Sequence, residues 1–168
     1  MLESHPYFLD HFYWIEEGHL AGASAPLFKE IPSIVVELGI RRVLSLVKYT
    51  NPRAREAVQN CWQEAGAVFL NIPIMGGSVP NDEEREVLKV LFREHAEQRN
   101  GGMLVHCEEG NGRTGVILAL YLMDQNGLSA QEAFDVVRII NPRAFDSQGQ
   151  IDYFIELGRD PEKLRKKP

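Results

Sequence analysis

The sequence predicts a single-domain α/β fold, and three observations carry that prediction. Short apolar runs of the length of buried strands alternate along the chain with longer amphipathic runs typical of helices. A glycine-bearing loop lies between one such strand, ending near Val105, and an apolar helix that starts near Val116. The chain has 168 residues, of which 44% are hydrophobic and 25% charged, so it can bury one sizeable core.

Capping and breaking residues delimit the predicted helices. Asn51 and Pro52 supply a cap and a first-turn proline for one helix. Ser129 and Glu132 form a capping box that opens another helix, and Pro142 ends it. Helices are predicted over about 26–38, 52–65, 82–98 and 129–140, and strands over Phe12–Ile15, Leu20–Ala23, Arg42–Val47, Ala67–Ile72 and Met103–His106.

The loop between the last predicted strand and the next helix places a cysteine and an arginine six positions apart. Backbone N–H groups of such a loop converge on one point, and the helix N-terminus adds partial positive charge, so the turn is an anion site. The guanidinium of Arg113 can bind two phosphate oxygens at once. A nucleotide-type phosphate loop is excluded, because no Gly-Lys-Ser or Gly-Lys-Thr run is present. The spacing therefore predicts a thiol nucleophile, Cys107, beneath a phosphate-sized anion.

Each part of this loop has a predicted role. Cys107 should be mostly a thiolate at neutral pH, because a helix N-terminus and a nearby cation favour ionisation. The hydroxyl of Thr114 is placed to hydrogen-bond the thiolate, and His106 is expected to shape the loop rather than carry protons to substrate. The predicted phosphate contacts come from Glu108, Glu109, Gly110, Asn111, Gly112 and Arg113.

The ten residues from His106 to Gly115 resemble the signature loop of the cysteine-dependent protein tyrosine phosphatases, and the short chain is similar to the small atypical dual-specificity phosphatases. The resemblance continues in the preceding strands and in the Asn141–Phe145 stretch, and it covers about residues 10–157. It implies a protein tyrosine phosphatase-like fold in one domain over residues 1–168, with a central sheet flanked by helices and the phosphate loop between a strand and a helix. It also implies a phosphomonoesterase that works through a phosphocysteine intermediate, with no metal or other cofactor.

The general acid is where the chain departs from the family pattern. In the family, an aspartate in a loop shaped like Pro-x-x-Asp-x-x-x-Pro protonates the leaving oxygen, and here that position is Gly76. Some atypical members carry the acid directly after the proline, where this chain has Ile74. Asp82 is interpreted mainly as a first-turn residue that complements the helix dipole, with a catalytic role as the less favoured alternative. Asp146 is the preferred acid, and capping of the following helix by Asp146-Ser147 is an even alternative. Gln150 is predicted either to orient the attacking water or to make a structural hydrogen bond.

Side chains around the pocket bear on the choice of substrate. Glu108 and Glu109 should point outward around the rim, either simply solvated or repelling polyanions by on the order of 1 kcal/mol per exposed charge pair. Such repulsion disfavours multiply phosphorylated inositols. Tyr13, Trp14 and Tyr49 either flank the pocket and stack on a phosphotyrosine ring or belong to the core.

Charge and cysteine content limit the partners and the cellular compartment that the sequence predicts. The net charge of −6 disfavours nucleic acid and anionic membranes as partners, and the basic tail from Lys163 to Lys167 is interpreted as a solvated end. No run is long and apolar enough to span a membrane. Two cysteines, one of them needed as a thiolate, and the lack of a secretion-type start predict a reducing, cytoplasmic compartment. A monomer is expected.

Three functions remain open from the sequence. The first is a phosphomonoesterase acting on phosphoproteins or small phosphomonoesters, with phosphotyrosine and aryl phosphates preferred because no loop aspartate protonates poorer leaving groups. The second is a phosphate-binding pseudophosphatase, which the glycine at the acid position would suit. The third is an RNA 5′-phosphatase, against which the acidic net charge weighs.

Overall fold

The computed structural model describes residues 1–2 and 6–160, and it confirms the predicted α/β fold. The basic tail after residue 160 lies outside the described residues, as do residues 3–5. The strands are β1 (Tyr13–Glu16), β2 (Leu20–Ala23), β3 (Ile40–Ser45), β4 (Val68–Asn71) and β5 (Gly102–His106). The helices are α1 (Pro6–Asp10), α2 (Ile31–Glu37), α3 (Pro52–Glu64), α4 (Asp82–Gln98), α5 (Gly112–Asn126), α6 (Ala130–Ile140) and α7 (Gln148–Arg159).

The five strands form one mixed sheet in the order β1-β2-β5-β3-β4. β1 pairs antiparallel with β2, whereas the three other pairs are parallel. In the register of the sheet, His106 lies opposite both Ala23 of β2 and Ser45 of β3. The carboxyl ends of β2, β3 and β5 therefore meet at one edge, which is where open α/β sheets bind their ligands.

Helices cover both faces of the sheet. Successive residues of the central strand β5 point to opposite faces, so neighbouring residues pack against different helices. Met103 and Val105 pack into the cluster built with α4, α5, α6 and α7. Leu104, between them, packs into the cluster built with α2 and α3, which contains the fully buried Trp62. Since β5 and the first turns of α5 are both buried, the loop that joins them has rigid ends.

The predicted helix over 26–38 is the main difference in local structure. It consists of a 3₁₀ turn, Phe28–Glu30, followed by α2. A proline, Pro32, lies in the first turn of α2, where its missing N–H costs no helical hydrogen bond. Other predicted boundaries differ from the structure by one or two residues. Within the described part of the chain, the helices are too short or too polar to cross a membrane.

Candidate active site

The phosphate loop, residues 107–113, turns sharply between β5 and α5. Gly110 has a φ of 78°, a left-handed conformation that favours glycine. A Cβ at this position would also collide with the backbone of Ala23, so any other side chain would push the loop off β2. The backbone N–H of Ala25 donates to the Glu108 carbonyl at 3.1 Å and ties the loop to the segment after β2.

Cys107 lies in this loop with only 2% of its surface exposed. Two donors reach its sulfur: the backbone N–H of Gly110 at 3.3 Å and the hydroxyl of Thr114 at 3.2 Å. Hydrogen bonds of this kind stabilise a charged acceptor more than a neutral one. Helix α5 begins at Gly112 and adds the partial positive charge of its N-terminus. The arrangement can therefore stabilise a thiolate within an anion-binding loop.

Arg113 is half-buried, and its guanidinium is oriented by three acceptors. Nη1 donates to the carbonyl of Ile74 at 3.0 Å and more weakly to that of Leu46 at 3.5 Å. Nη2 donates to the carboxylate of Glu108. Glu108 and Glu109 are both exposed at the rim, as expected, and the carboxylate of Glu108 also pairs with the arginine of its own loop.

Asp146 lies beside the phosphate loop. Its Oδ2 accepts the backbone N–H of Gly112 at 3.1 Å, and a Cβ at Gly112 would collide with the carboxylate. The cap of α7 is Ser147, whose Oγ accepts the backbone N–H of Gln150. Of the two residues considered as the cap, Ser147 therefore caps α7. Asp146 is exposed, so its carboxylate also faces solvent.

The loop over residues 73–80, which corresponds to the family's acid loop, contributes backbone carbonyls to the site. The carbonyl of Gly77 accepts from the Ser147 hydroxyl at 2.7 Å, and that of Ser78 accepts from Gln150 Nε2 at 3.2 Å. Gln150 is fully buried, and its Oε1 has no hydrogen-bond partner among the described residues. The loop consequently connects the N-terminus of α7 to the guanidinium that Ile74 binds.

Asp82 occupies the first turn of α4. The cap of that helix is Asn81, which forms a capping box with Glu84. The exposed carboxylate of Asp82 therefore complements the helix dipole. The residues that the structure describes contain no grouping of three His, Cys, Asp or Glu side chains that could hold a metal ion.

His106 is buried directly before the nucleophile. Burial lowers its pKa to about 4, against a weaker opposing effect from the carbonyl of Cys107. The ring is therefore neutral at physiological pH, and its Nδ1–H donates to that carbonyl at 3.3 Å. Its geometry agrees with the expected role in shaping the loop.

Two side chains far away in sequence support the loop at one carbonyl oxygen. The hydroxyl of Tyr13 donates to Gly110 O at 2.8 Å, and Asn141 Nδ2 donates to the same atom at 3.3 Å. Burial raises the pKa of the Tyr13 phenol, so the phenol stays protonated as a donor. Sequence reasoning missed both contacts. Tyr13 is 97 residues from its acceptor, and no local pattern encodes such a pairing.

The other two aromatic residues considered for the pocket differ in position. Trp14 packs edge-to-face on Phe12, with ring centroids 5.1 Å apart, as part of the core. Tyr49 lines an apolar cavity beside the phosphate loop, and its hydroxyl lies 3.2 Å from Ser45 Oγ.

Comparison with protein families identifies the family of this chain. The model of the DSP-PTPase phosphatase domain of Swiss Army Knife proteins matches residues 9–153. The chain belongs to this phosphatase family. The match runs from before β1 into α7, so it includes the phosphate loop, the 73–80 loop and Asp146. The predicted membership of the dual-specificity and tyrosine phosphatases is confirmed.

Two curated phosphatases of 33% and 37% identity match about half of the chain or less. The tyrosine-protein phosphatase cdc-14 of Caenorhabditis elegans is 33% identical over 79 residues, which are 47% of this chain and 11% of that protein. The dual specificity protein phosphatase TpbA of Pseudomonas aeruginosa is 37% identical over 67 residues, which are 38% of this chain and 31% of TpbA. The chain therefore matches less than a third of the length of either relative.

Solved phosphatase structures match nearly the whole chain. Tk-PTP in its active form superposes with a TM-score of 0.76 at 26% identity, covering 89% of this chain and 97% of that chain. PTPMT1 in complex with PI(5)P superposes with a TM-score of 0.73 at 17% identity, covering 94% and 100% of the two chains. At this identity, the match with PTPMT1 shows a shared fold.

Proposed function

We propose that this protein is a phosphomonoesterase that hydrolyses phosphotyrosine and aryl phosphates through a phosphocysteine intermediate. The observation that carries the proposal is the convergence of two donors, Gly110 N–H and Thr114 Oγ1–H, on the sulfur of Cys107. A thiolate stabilised in this way lies in a loop that also ends in Arg113, a bidentate ligand for phosphate oxygens. Nucleophile and anion site are thus built into one short segment.

In the first step, the Cys107 thiolate attacks phosphorus, the Sγ–P bond forms and the ester P–O bond breaks. The loop amides and Arg113 bind the phosphoryl oxygens, on which negative charge is concentrated in the transition state. The leaving oxygen takes a proton from Asp146, whose exposed carboxyl lies next to the loop amide of Gly112.

In the second step, water attacks the phosphocysteine, the Sγ–P bond breaks and inorganic phosphate leaves. Asp146 accepts the proton of the attacking water, which returns the acid to its starting state. The hydroxyl of Thr114 donates to the departing thiolate. Gln150, which is buried against the Ser78 carbonyl, acts through the position of the 73–80 loop.

The acid loop without a carboxylate favours substrates with good leaving groups. Gly76 holds the position of the family's aspartate, so the leaving oxygen has no proton donor in that loop. A phenol leaves with a pKa near ~10, whereas serine and threonine alkoxides depend much more on protonation. Phosphotyrosine proteins, or small aryl phosphomonoesters, are therefore the proposed substrates. The mechanism needs a free thiolate, so the proposed compartment is the reducing cytoplasm. The protein is proposed to act as a monomer.

A phosphate-binding pseudophosphatase is the second candidate. The observation that favours it is the side-chain-free Gly76 at the position of the family's acid. An RNA 5′-phosphatase has less support, because the exposed Glu108 and Glu109 lie in the phosphate loop and repel an RNA backbone.

Turnover of nitrophenyl phosphate by the wild-type protein and by Cys107→Ser tests the proposal. The wild type should release phosphate and form an acid-trappable phosphoprotein, and the variant should lose turnover by about 10³-fold or more. Phosphate or vanadate should still bind to Cys107→Ser, because the loop amides and Arg113 remain. A tenth of the wild-type rate in the variant would exclude the covalent mechanism, and an inactive wild type that binds phosphate would favour the pseudophosphatase.

A further inference from the structure

An apolar cavity of about 220 Å³ lies beside the phosphate loop, and the chemistry proposed above does not use it. The segment after β2, the residues after β3 and one side of α3 form most of its lining, which includes Tyr49 and Trp62. His106 at the end of β5 and Glu108 in the phosphate loop, the residues on either side of Cys107, complete the lining. A group bound in the cavity is therefore adjacent to the nucleophile.

Two large apolar side chains are exposed at this cavity. Leu27 and Phe28 both line it, yet 58% and 54% of their surfaces are accessible to solvent. They are consecutive residues at the start of the 3₁₀ turn, so together they form one apolar patch continuous with the cavity. Exposed apolar patches continuous with a concave site are typical of binding surfaces.

We propose that this cavity is a subsite for an apolar side chain of a phosphopeptide substrate, on a residue next to the phosphorylated one. The proposal rests on the phosphomonoesterase function given above. A volume of about 220 Å³ is below the range of roughly 300–1,000 Å³ usual for drug-sized ligands, and it suits one side chain of the size of leucine or phenylalanine.

A peptide fits the surroundings of the cavity better than a phospholipid. Glu108 in the lining, Glu109 beside it and the net charge of −6 repel an anionic lipid surface. The same charges attract a peptide that bears lysine or arginine near the phosphorylated residue.

Matched phosphotyrosine peptides test the subsite. The peptides are identical except for leucine or glycine at the position before, and then after, the phosphotyrosine, and phosphate release gives kcat/KM for each. Burial of a leucine side chain predicts a preference for the leucine peptide of about tenfold to a hundredfold at one of the two positions. In the double variant Leu27→Ala/Phe28→Ala, the preference should fall to about twofold.

The control variant is Val36→Ala/Ile139→Ala, which removes two exposed apolar side chains outside the cavity lining. It should keep the wild-type preference. Equal kcat/KM for leucine and glycine peptides in the wild type would overturn the proposal, as would a preference that survives in Leu27→Ala/Phe28→Ala. A larger loss by that variant on phosphatidylinositol monophosphate in phosphatidylcholine vesicles than on the peptide would assign the cavity to an acyl chain instead.

A binding measurement separates the subsite from the catalytic proposal. The Cys107→Ser protein is titrated with the leucine and glycine phosphopeptides by calorimetry. Tighter binding of the leucine peptide, lost on adding Leu27→Ala/Phe28→Ala, supports the subsite even when the wild type releases no phosphate from nitrophenyl phosphate. Equal binding of the two peptides overturns the subsite and leaves the phosphomonoesterase proposal untouched.

Discussion

The phosphate loop and the 73–80 loop both follow strands at the carboxyl edge of the sheet, yet they contribute in different ways. The phosphate loop contributes two functional side chains, the Cys107 sulfur and the Arg113 guanidinium, together with its backbone N–H groups. The 73–80 loop is exposed at all four positions from Met75 to Ser78, and it contributes carbonyl oxygens that bind Arg113, Ser147 and Gln150.

This difference explains how the 73–80 loop can lack the family's aspartate and still support the phosphate loop. Contacts made through backbone carbonyls do not depend on which side chain the residue bears. The loop can therefore carry Gly76 and still orient Arg113 through Ile74 and position the start of α7 through Gly77. Because Asp146 directly precedes the capped end of α7, the loop without a carboxylate helps to place the carboxylate proposed to replace it.

The largest effect is expected from Arg113→Lys. Lysine lacks the planar fork that binds two phosphate oxygens, and it cannot keep the same contact with Ile74 O while doing so. We expect kcat/KM for nitrophenyl phosphate to fall about a thousandfold. Arg143→Lys, at an exposed arginine, is the control and should change kcat/KM little. A loss below tenfold for Arg113→Lys would mean that the loop amides alone bind the transition state.

Asp146→Asn should lower kcat/KM for phenyl phosphate by about a hundredfold, within the usual range of roughly 10² to 10⁴ for general acid catalysis. The effect on a nitrophenyl ester should be much smaller, because nitrophenolate leaves without protonation. Asp82→Asn is the control, since Asp82 complements the dipole of α4, and it should do little to either ester. Equal, small effects of Asp146→Asn on both esters would remove Asp146 as the acid.

Gly76→Asp in the Asp146→Asn background asks whether the 73–80 loop can still deliver a proton. A Cβ at Gly76 meets no atom within 4 Å, so an aspartate can be accommodated. We expect about a tenfold recovery of kcat/KM on phenyl phosphate. Gly77→Asp is the control, because Gly77 has a φ of 73° and a side chain there is strained. No recovery with Gly76→Asp would show that the loop now acts only as a support.

The smallest effect is expected from Glu108→Gln. The carboxylate of Glu108 pairs with the Nη2 of Arg113 that phosphate must also reach, so removal of its charge should tighten phosphate binding. An exposed ion pair is worth up to about 1 kcal/mol, which corresponds to about a fivefold lower inhibition constant for inorganic phosphate. Glu109→Gln, which removes the same charge next to this pair, should have a smaller effect. Weaker phosphate binding by Glu108→Gln would mean that the glutamate orients the arginine productively.

Local chemistry could be predicted from sequence where the partners are close along the chain. Thr114 is seven residues from Cys107, and the strand-loop-helix pattern already places its hydroxyl near the sulfur, as the structure shows at 3.2 Å. The helix starts at Asn51 and Ser129 were likewise predicted, since caps act within one turn. The sequence alone also shows that Gly76 stands where the family has its acid.

Tertiary structure alone decided which distant groups meet at the loop. Tyr13 reaches Gly110 because β1 pairs with β2, which in turn pairs with β5. Ser147 rather than Asp146 caps α7, and the backbone geometry of that turn frees Asp146 to bind Gly112. The physical reason is distance along the chain. The proposed nucleophile, its turn and its helix lie within one segment, whereas the supporting residues and the proposed acid come from segments that only sheet order and helix packing bring together.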